Sequence, residues 1–412
     1  MDWNNVIFHQ GNEELQRFIE LGVLAAGQGI PFHFHVEGVR GTGKTTMIRA
    51  AQNSMPKIER VRGCLYNCDP AAPHCPQHGR GSGLESEQIP LPFLEVSHSA
   101  KVGTVVGSID LDRLTSTDSP SAALLPGTLP RAHRGIVFVD EINRLADTSP
   151  ALVDILLDAM GTKPGRLQIE ESGLPTVELP LKVSVWAASN PDEEPGPLQE
   201  IRRQLADRFD FAVRIERPDR PDVVRAIMNA GTGMARPPVA FPASFPFGDC
   251  SGVTLTERLE EFLGEIYIRF HLESIRGIQA ARLGSILHAA RYGKVCADFF
   301  DLAAVLPAAL RHRVEPPKLL EISEAMKTAV LAERKNEEDR QASRVNPAAE
   351  EKQSVRRAFW RGLWQRFSGQ QVTADSKETT AKADECSARD NPGEMQKKKH
   401  PAVTEKEGTG KL

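Results

Sequence analysis

The chain has 412 residues, 40% of them hydrophobic, with 51 basic and 55 acidic side chains and a net charge of −4. That length implies two or three domains, and so balanced a charge supplies no basic field for holding nucleic acid. No stretch approaches the roughly 20 apolar residues that span a bilayer, and Met1-Asp-Trp-Asn-Asn has no basic region followed by an apolar core, so a cytoplasmic protein is expected.

Residues 1–230 alternate short β-branched or aromatic runs with helix-like stretches, the pattern of an α/β fold whose parallel sheet is flanked by helices. The best strands are Phe32 to Val36, Gly135 to Val139 and Val183 to Ala187. Residues 231–252 hold too much Pro and Gly for regular structure and read as a linker. From 253 to 335 apolar residues recur at helical spacing, as in Leu259, Phe262, Leu263 and Ile266, predicting a small domain of three or four helices. Residues 336–412 are rich in Lys, Glu, Gln, Ser and Thr, with too little apolar material to offset the entropy of ordering. A largely disordered tail is expected there. It contains one amphipathic island, 356–367, where Phe359, Trp360, Leu363, Trp364 and Phe367 share a helical face among arginines.

Gly38-Val39-Arg40-Gly41-Thr42-Gly43-Lys44-Thr45 fits the phosphate-loop pattern G-x-x-x-x-G-K-[ST], directly after an apolar strand and before a helical run that starts at Thr46. Glycines allow the loop to turn its N–H groups around phosphate oxygens, and the helix that follows aims its positive end at them. Lys44 would reach the β and γ phosphates of ATP, and Thr45 would ligate Mg2+. Gly135-Ile-Val-Phe-Val-Asp-Glu-Ile-Asn143 is an apolar strand ending in two carboxylates, of which Asp140 suits the Mg2+ shell and Glu141 the polarisation of the attacking water. A third strand ends in Ser189-Asn190-Pro191, where a side-chain amide could hold that water, although Asn before Pro is also a common turn. Further on, Arg202-Arg203-Gln-Leu-Ala-Asp-Arg208 reads as a helix ending in cations, suited to developing phosphoryl charge or simply to solvent.

Cys64-x3-Cys68-x6-Cys75-x2-His78 lies in an aperiodic segment, residues 62–80, that has no core of its own. Three thiolates and an imidazole could complete a tetrahedral Zn2+ site, with an iron–sulfur site or free thiols as the other readings and His74 as a competing ligand. The scattered Cys250, Cys296 and Cys386 suggest no role.

Taken in order, these motifs resemble the AAA+ P-loop NTPases, and among them the I subunit of magnesium chelatase. The resemblance is carried by Gly38 to Thr45, Arg131 to Asn143, Ala188 to Glu193, Gln204 to Phe209, Ser274-Ile-Arg-Gly277 and Leu310-Arg-His-Arg313, over roughly residues 5–320. It includes Val106-Gly-Ser-Ile-Asp110, and a probable hairpin at 165–180 lies where this clade, shared with MoxR-like proteins, inserts one into a helix. The resemblance implies an α/β AAA+ sheet followed by an α-helical lid, with ATP bound between neighbours in a hexameric ring. It makes Asn190 sensor 1, Arg208 the arginine finger lent to the next subunit, and Arg276 the sensor 2 arginine of the lid. It also implies a partner resembling the D subunit, with a von Willebrand A domain, and some members of the wider family carry similar cysteines at 64–78. The alternatives are a MoxR-like remodelling ATPase with another client and a nucleotide-gated scaffold with little turnover. The part expected to fold shows no helix-turn-helix or basic-aromatic strip, so no specific nucleic-acid partner is expected.

Overall fold

The computed structural model describes residues 3, 6–79, 83–109, 124–161, 165–169, 176–230 and 249–345. Most of the expected linker, the tip of the 165–180 hairpin, Asp110 and the tail beyond 345, including the 356–367 island, lie outside the described residues.

The chain opens with α1 (Glu13–Gly27), β1 (Phe34–Glu37), α2 (Lys44–Ala51), β2 (Lys57–Val61), β3 (Ser86–Pro90) and β4 (Phe93–Val96). Then come α3 (Val102–Val106), β5 (Gly107–Ile109), β6 (Leu124–Pro126), α4 (Thr128–Arg131), β7 (Gly135–Val139), α5 (Ile142–Thr148) and α6 (Pro150–Ala159). They are followed by β8 (Gly165–Ile169), β9 (Val177–Leu181), β10 (Val183–Ser189), α7 (Leu198–Ile201), α8 (Arg203–Arg208), β11 (Phe211–Arg214) and α9 (Pro221–Ala230). The C-terminal part comprises β12 (Thr254–Leu255), α10 (Glu257–Arg269), α11 (Arg276–Arg291), β13 (Cys296–Ala297), α12 (Phe299–Leu310) and α13 (Pro316–Val345).

Five strands form the central sheet in the order β11-β1-β10-β7-β4, and every neighbouring pair is parallel. This is the α/β arrangement of an AAA+ P-loop fold. Parallel strands need helical crossovers that cover both faces, so β7 and β10 are buried along their whole length. Side chains alternate by two: Ile136 and Phe138 join the core beneath α1 and α2, while Val137 and Val139 join the core beneath α5 and α6. The C-terminal ends of β1, β7 and β10 therefore meet at one edge, and the loops that leave them can converge.

The expected hairpin is present as β8–β9, in antiparallel register from Gly165 opposite Leu181 to Ile169 opposite Val177. The helical part has four helices, and the last continues to Val345, so position 335 falls inside a helix. Thr256 and Asp298 cap α10 and α12 through side-chain oxygens that accept backbone N–H bonds. The helical part is not insulated from the sheet: Ala281, Leu287, Phe299 and Leu302 belong to the same continuous core as Phe18, Phe34 and Phe211. Gly284 of α11 lies so close to Phe211 that a Cβ there would come within 3.0 Å of the ring. Among the described residues no helix is long and apolar enough to cross a membrane.

Candidate active site

The phosphate loop is built between the end of β1 and the start of α2. Gly41 and Gly43 take φ of 78° and 89°, which the absence of a Cβ permits. Gly38 is needed for a different reason, since a Cβ there would lie 2.5 Å from Ile215 Cγ2. Thr42 Oγ1 donates to Val39 O at 2.9 Å and closes the loop on itself. The Lys44 ammonium donates to the carbonyls of Gly38 and Val39, the latter at 2.9 Å. Burial lowers its pKa, partly offset by Asp140 and Glu193. Arg40 is exposed at the loop surface, and Thr46 lies in the first turn of α2.

Thr45 Oγ1 donates to Asp140 Oδ2 at 3.0 Å, which joins the phosphate loop to the end of β7 across 95 residues of sequence. A hydroxyl and a carboxylate oxygen so close are the donor set of a hard divalent cation that travels with nucleotide phosphates. Glu141 follows at φ 53°, a left-handed conformation that costs a non-glycine residue on the order of 1–3 kcal/mol and so needs support from its surroundings. Asn190 leaves the adjacent strand β10. Its Oδ1 accepts from Asp192 N at 3.2 Å, so the turn expected of Asn before Pro is formed, and its amide N–H groups remain available as donors. Behind the edge, His35 is completely enclosed and shares a 2.8 Å hydrogen bond between Nε2 and Ser189 Oγ. Burial alone pushes its pKa down to about 3. A cleft of about 830 Å³ adjoins the loop, lined among others by Gly38, Val39, Pro191, Arg203 and His312.

Arg208 ends α8, and the charged groups acting on it are Arg276, Asp207 and Asp158, none of which belongs to the phosphate loop. Burial and then the Arg276 cation lower its pKa. Arg276, at the start of α11, is paired with Asp207 at 2.8 Å, so the expected finger and the expected lid arginine lie together. Arg203 pairs with Glu273 at 2.9 Å on the exposed surface.

The Arg311–Arg313 segment has a role that sequence spacing could not reveal. Arg311 makes a bidentate pair with Glu14 at 3.0 and 2.9 Å. His312 Nε2 lies 3.0 Å from Phe209 O. Arg313 donates to Asp207 Oδ1 at 3.1 Å and to the carbonyls of Asp207, Phe209 and Asp210. Its guanidinium therefore pins the end of α12 to the end of α8. The sequence marked this segment as one of the motifs carrying the family resemblance and as a dense Arg-His-Arg run, but neither signal names its partners.

The cysteine segment gathers a second set of ligands. One donor atom from each of Cys64, Cys68, Cys75 and His78 lies within 4.8 Å of the others. Cys64 and Cys75 sulfurs stand 3.9 Å apart, far too distant for a disulfide and close to the roughly 3.8 Å edge of a tetrahedron with 2.3 Å zinc–sulfur bonds. Cys68 Sγ accepts backbone N–H bonds from His74 at 3.4 Å and Cys75 at 3.3 Å. Hydrogen bonding from Cys68 and then Cys75 pulls the Cys64 thiol down, while hydrogen bonding with Cys64 and then Cys68 pushes Cys75 up. His74 stays in contact with one thiol, its Nδ1 3.4 Å from Cys68 Sγ, and its ring lies 4.0 Å from that of His133, but it is not among the four donors that lie mutually close.

No family model matches the chain. It is 33% identical over 295 residues to the magnesium-chelatase 38 kDa subunit of Acidiphilium rubrum, a match covering 67% of this chain and 82% of that relative. It is 29% identical over 311 residues to the chloroplastic magnesium-chelatase subunit ChlI of Chlamydomonas reinhardtii, covering 70% of this chain and 71% of that one. Among solved structures, a candidate ATPase from Cytophaga hutchinsonii aligns with a TM-score of 0.50 at 15% identity, over 79% of this chain and 90% of that chain, a likeness of fold.

Proposed function

The chain belongs to the magnesium-chelatase I-subunit family of AAA+ ATPases, and from that premise we propose that it is the motor subunit of a chelatase-type complex. It couples hydrolysis of MgATP in a homo-oligomeric, hexameric ring to remodelling of a partner assembly that inserts a metal. The observation that carries this reading is the closure of Thr45 on Asp140 at 3.0 Å, with Lys44 and Glu141 on the same sheet edge.

Each residue has a distinct task. Residues 38–46 cradle the phosphates through backbone N–H groups, and Lys44 exchanges its loop carbonyls for phosphate oxygens. Thr45 and Asp140 would hold a Mg2+ ion, which would supply positive charge against the phosphates. Glu141 polarises the attacking water, and the Asn190 amide orients it. Arg208 and Arg276 carry two positive charges side by side without a neighbour in their own phosphate loop, which supports their use at the adjacent subunit's γ-phosphate. A D-subunit-like partner with a von Willebrand A domain follows from the family.

Lys44→Ala should abolish ATP binding or turnover, whereas Glu141→Gln should bind MgATP and hold it. Near-normal hydrolysis by Glu141→Gln would refute the assignment of the water-polarising group. Isolation of the native complex tests the partner, since a different client would favour the MoxR-like reading.

A second proposal concerns the cysteine segment. Three buried sulfurs and one imidazole with donor atoms all within 4.8 Å of one another support one structural Zn2+ on Cys64, Cys68, Cys75 and His78, which would staple an insertion with little core of its own.

A further inference from the structure

Glu141 is gripped from two sides. Its Oε2 lies 3.4 Å from His98 Nδ1, two residues beyond β4, and 3.4 Å from Arg144 Nη1 in the first turn of α5. The Nη2 of Arg144 lies 3.4 Å from Glu193 Oε2 in the loop that follows Asn190. The residue before it, Asn143, is 3% exposed and donates from Nδ2 to the carbonyls of Asn190 and Gly196, both at 3.2 Å. Two consecutive residues thus tie the helix after the carboxylate to the loop after β10. The amide sets the spacing of the two backbones, and the guanidinium spans the two carboxylates.

Stability does not account for this gathering. Pairs of this length between half-exposed groups contribute little to folding. What they supply is orientation. A carboxylate whose backbone is already committed to a left-handed conformation has its remaining side-chain rotation restricted when one oxygen is engaged from both β4 and α5.

We propose that His98 and Arg144 are positioning residues for ATP hydrolysis, holding Oε2 of Glu141 so that Oε1 is the oxygen that takes the proton of the attacking water. As that proton passes to Oε1, the water oxygen bonds to the γ-phosphorus and the bond to the departing ADP oxygen breaks. The inference rests on the reading of Glu141 as the water-polarising group.

The test measures kcat and KM for ATP on full-length protein, together with direct MgATP binding, for His98→Ala, Arg144→Ala, His98→Gln and Arg144→Lys. Each alanine variant should lose roughly 10- to 100-fold in kcat, the cost of misplacing a catalytic group by about 1 Å, with nucleotide affinity within about twofold of wild type. Gln and Lys, which return one donor to Oε2, should recover part of that loss. Unchanged kcat in both alanine variants overturns the proposal, and so does a rise, which would mean that the two groups restrain Glu141. A loss of binding as large as the loss in kcat also overturns it, by making the role structural. Glu141→Gln separates the premise: if that variant turns over normally, the reading of Glu141 fails first, whereas an inactive Glu141→Gln beside active alanine variants sinks only the positioning role.

Discussion

Lowering the pH from 7.5 to 5.5 should destabilise the fold through His35, a residue that makes no contact with substrate. The side chain is completely enclosed between β1, β10 and the end of α8, and burial holds its pKa at about 3. In the unfolded chain the same imidazole titrates near 6.5. The folded pKa is depressed, so the unfolded state binds the proton first, and stability falls as pH drops below about 6.5 and levels off near 3. At pH 5.5 the unfolded imidazole is protonated about ten to one, which costs RT ln 11, or about 1.4 kcal/mol, for this one group. His133, also pushed down to about 3 by burial, loses a similar amount, and His312 lies well below its ordinary value for the same reason. His35 and His133 together lose about 3 kcal/mol over those two pH units, and His312 adds a loss of the same sign. Urea unfolding followed by tryptophan fluorescence at pH 7.5 and 5.5 gives the difference, and His35→Gln isolates one share of it. Glutamine keeps an amide N–H near the Nε2 position for Ser189 and does not titrate, so the loss in that variant should be smaller by about 1.4 kcal/mol. Equal losses in wild type and His35→Gln would show that His35 does not stay neutral in the fold, and the reasoning would fail.

Arg208→Ala should keep ATP binding yet lose most turnover, since a finger arginine is worth about 10³ to 10⁵ in rate in related phosphoryl-transfer systems. Mixing it with Lys44→Ala should restore part of the activity in mixed rings; no recovery despite demonstrated subunit exchange would shift the role to Arg202 or Arg203. Arg313→Ala leaves Asp207 its pair with Arg276 but removes the donor to the carbonyls of Asp207, Phe209 and Asp210, so equilibrium unfolding should show a loss of about 1–3 kcal/mol. A loss under 1 kcal/mol would mean that Arg313 does not hold the lid. Protein purified without chelator should carry about one equivalent of zinc by elemental analysis, and Cys64→Ser with Cys68→Ser should carry none, whereas a metal-free but folded wild type would rule the site out.

By itself the sequence determined the chemistry that is local along the chain. A Gly-rich loop between an apolar strand and a helix, and an apolar strand ending in Asp140-Glu141, depend on backbone freedom and burial periodicity within a dozen residues, so 38–46, 140 and 141 were legible without coordinates. The cysteine spacing likewise marked side chains that the fold gathers, since all four lie in one short loop. Tertiary structure decided whatever depends on distant segments meeting. It brought Arg276 to Asp207 across 69 residues and Arg313 to Asp207 across 106, and it merged the lid with the core of the sheet. It also distinguished equivalent side chains: His78 lies close to all three thiols whereas His74 touches Cys68 and packs on His133, and Arg203 was taken up by Glu273 while Arg208 stayed beside Arg276. Side chains of one type carry the same local signal, and only the packing of sheet, finger helix and lid determines which of them meet.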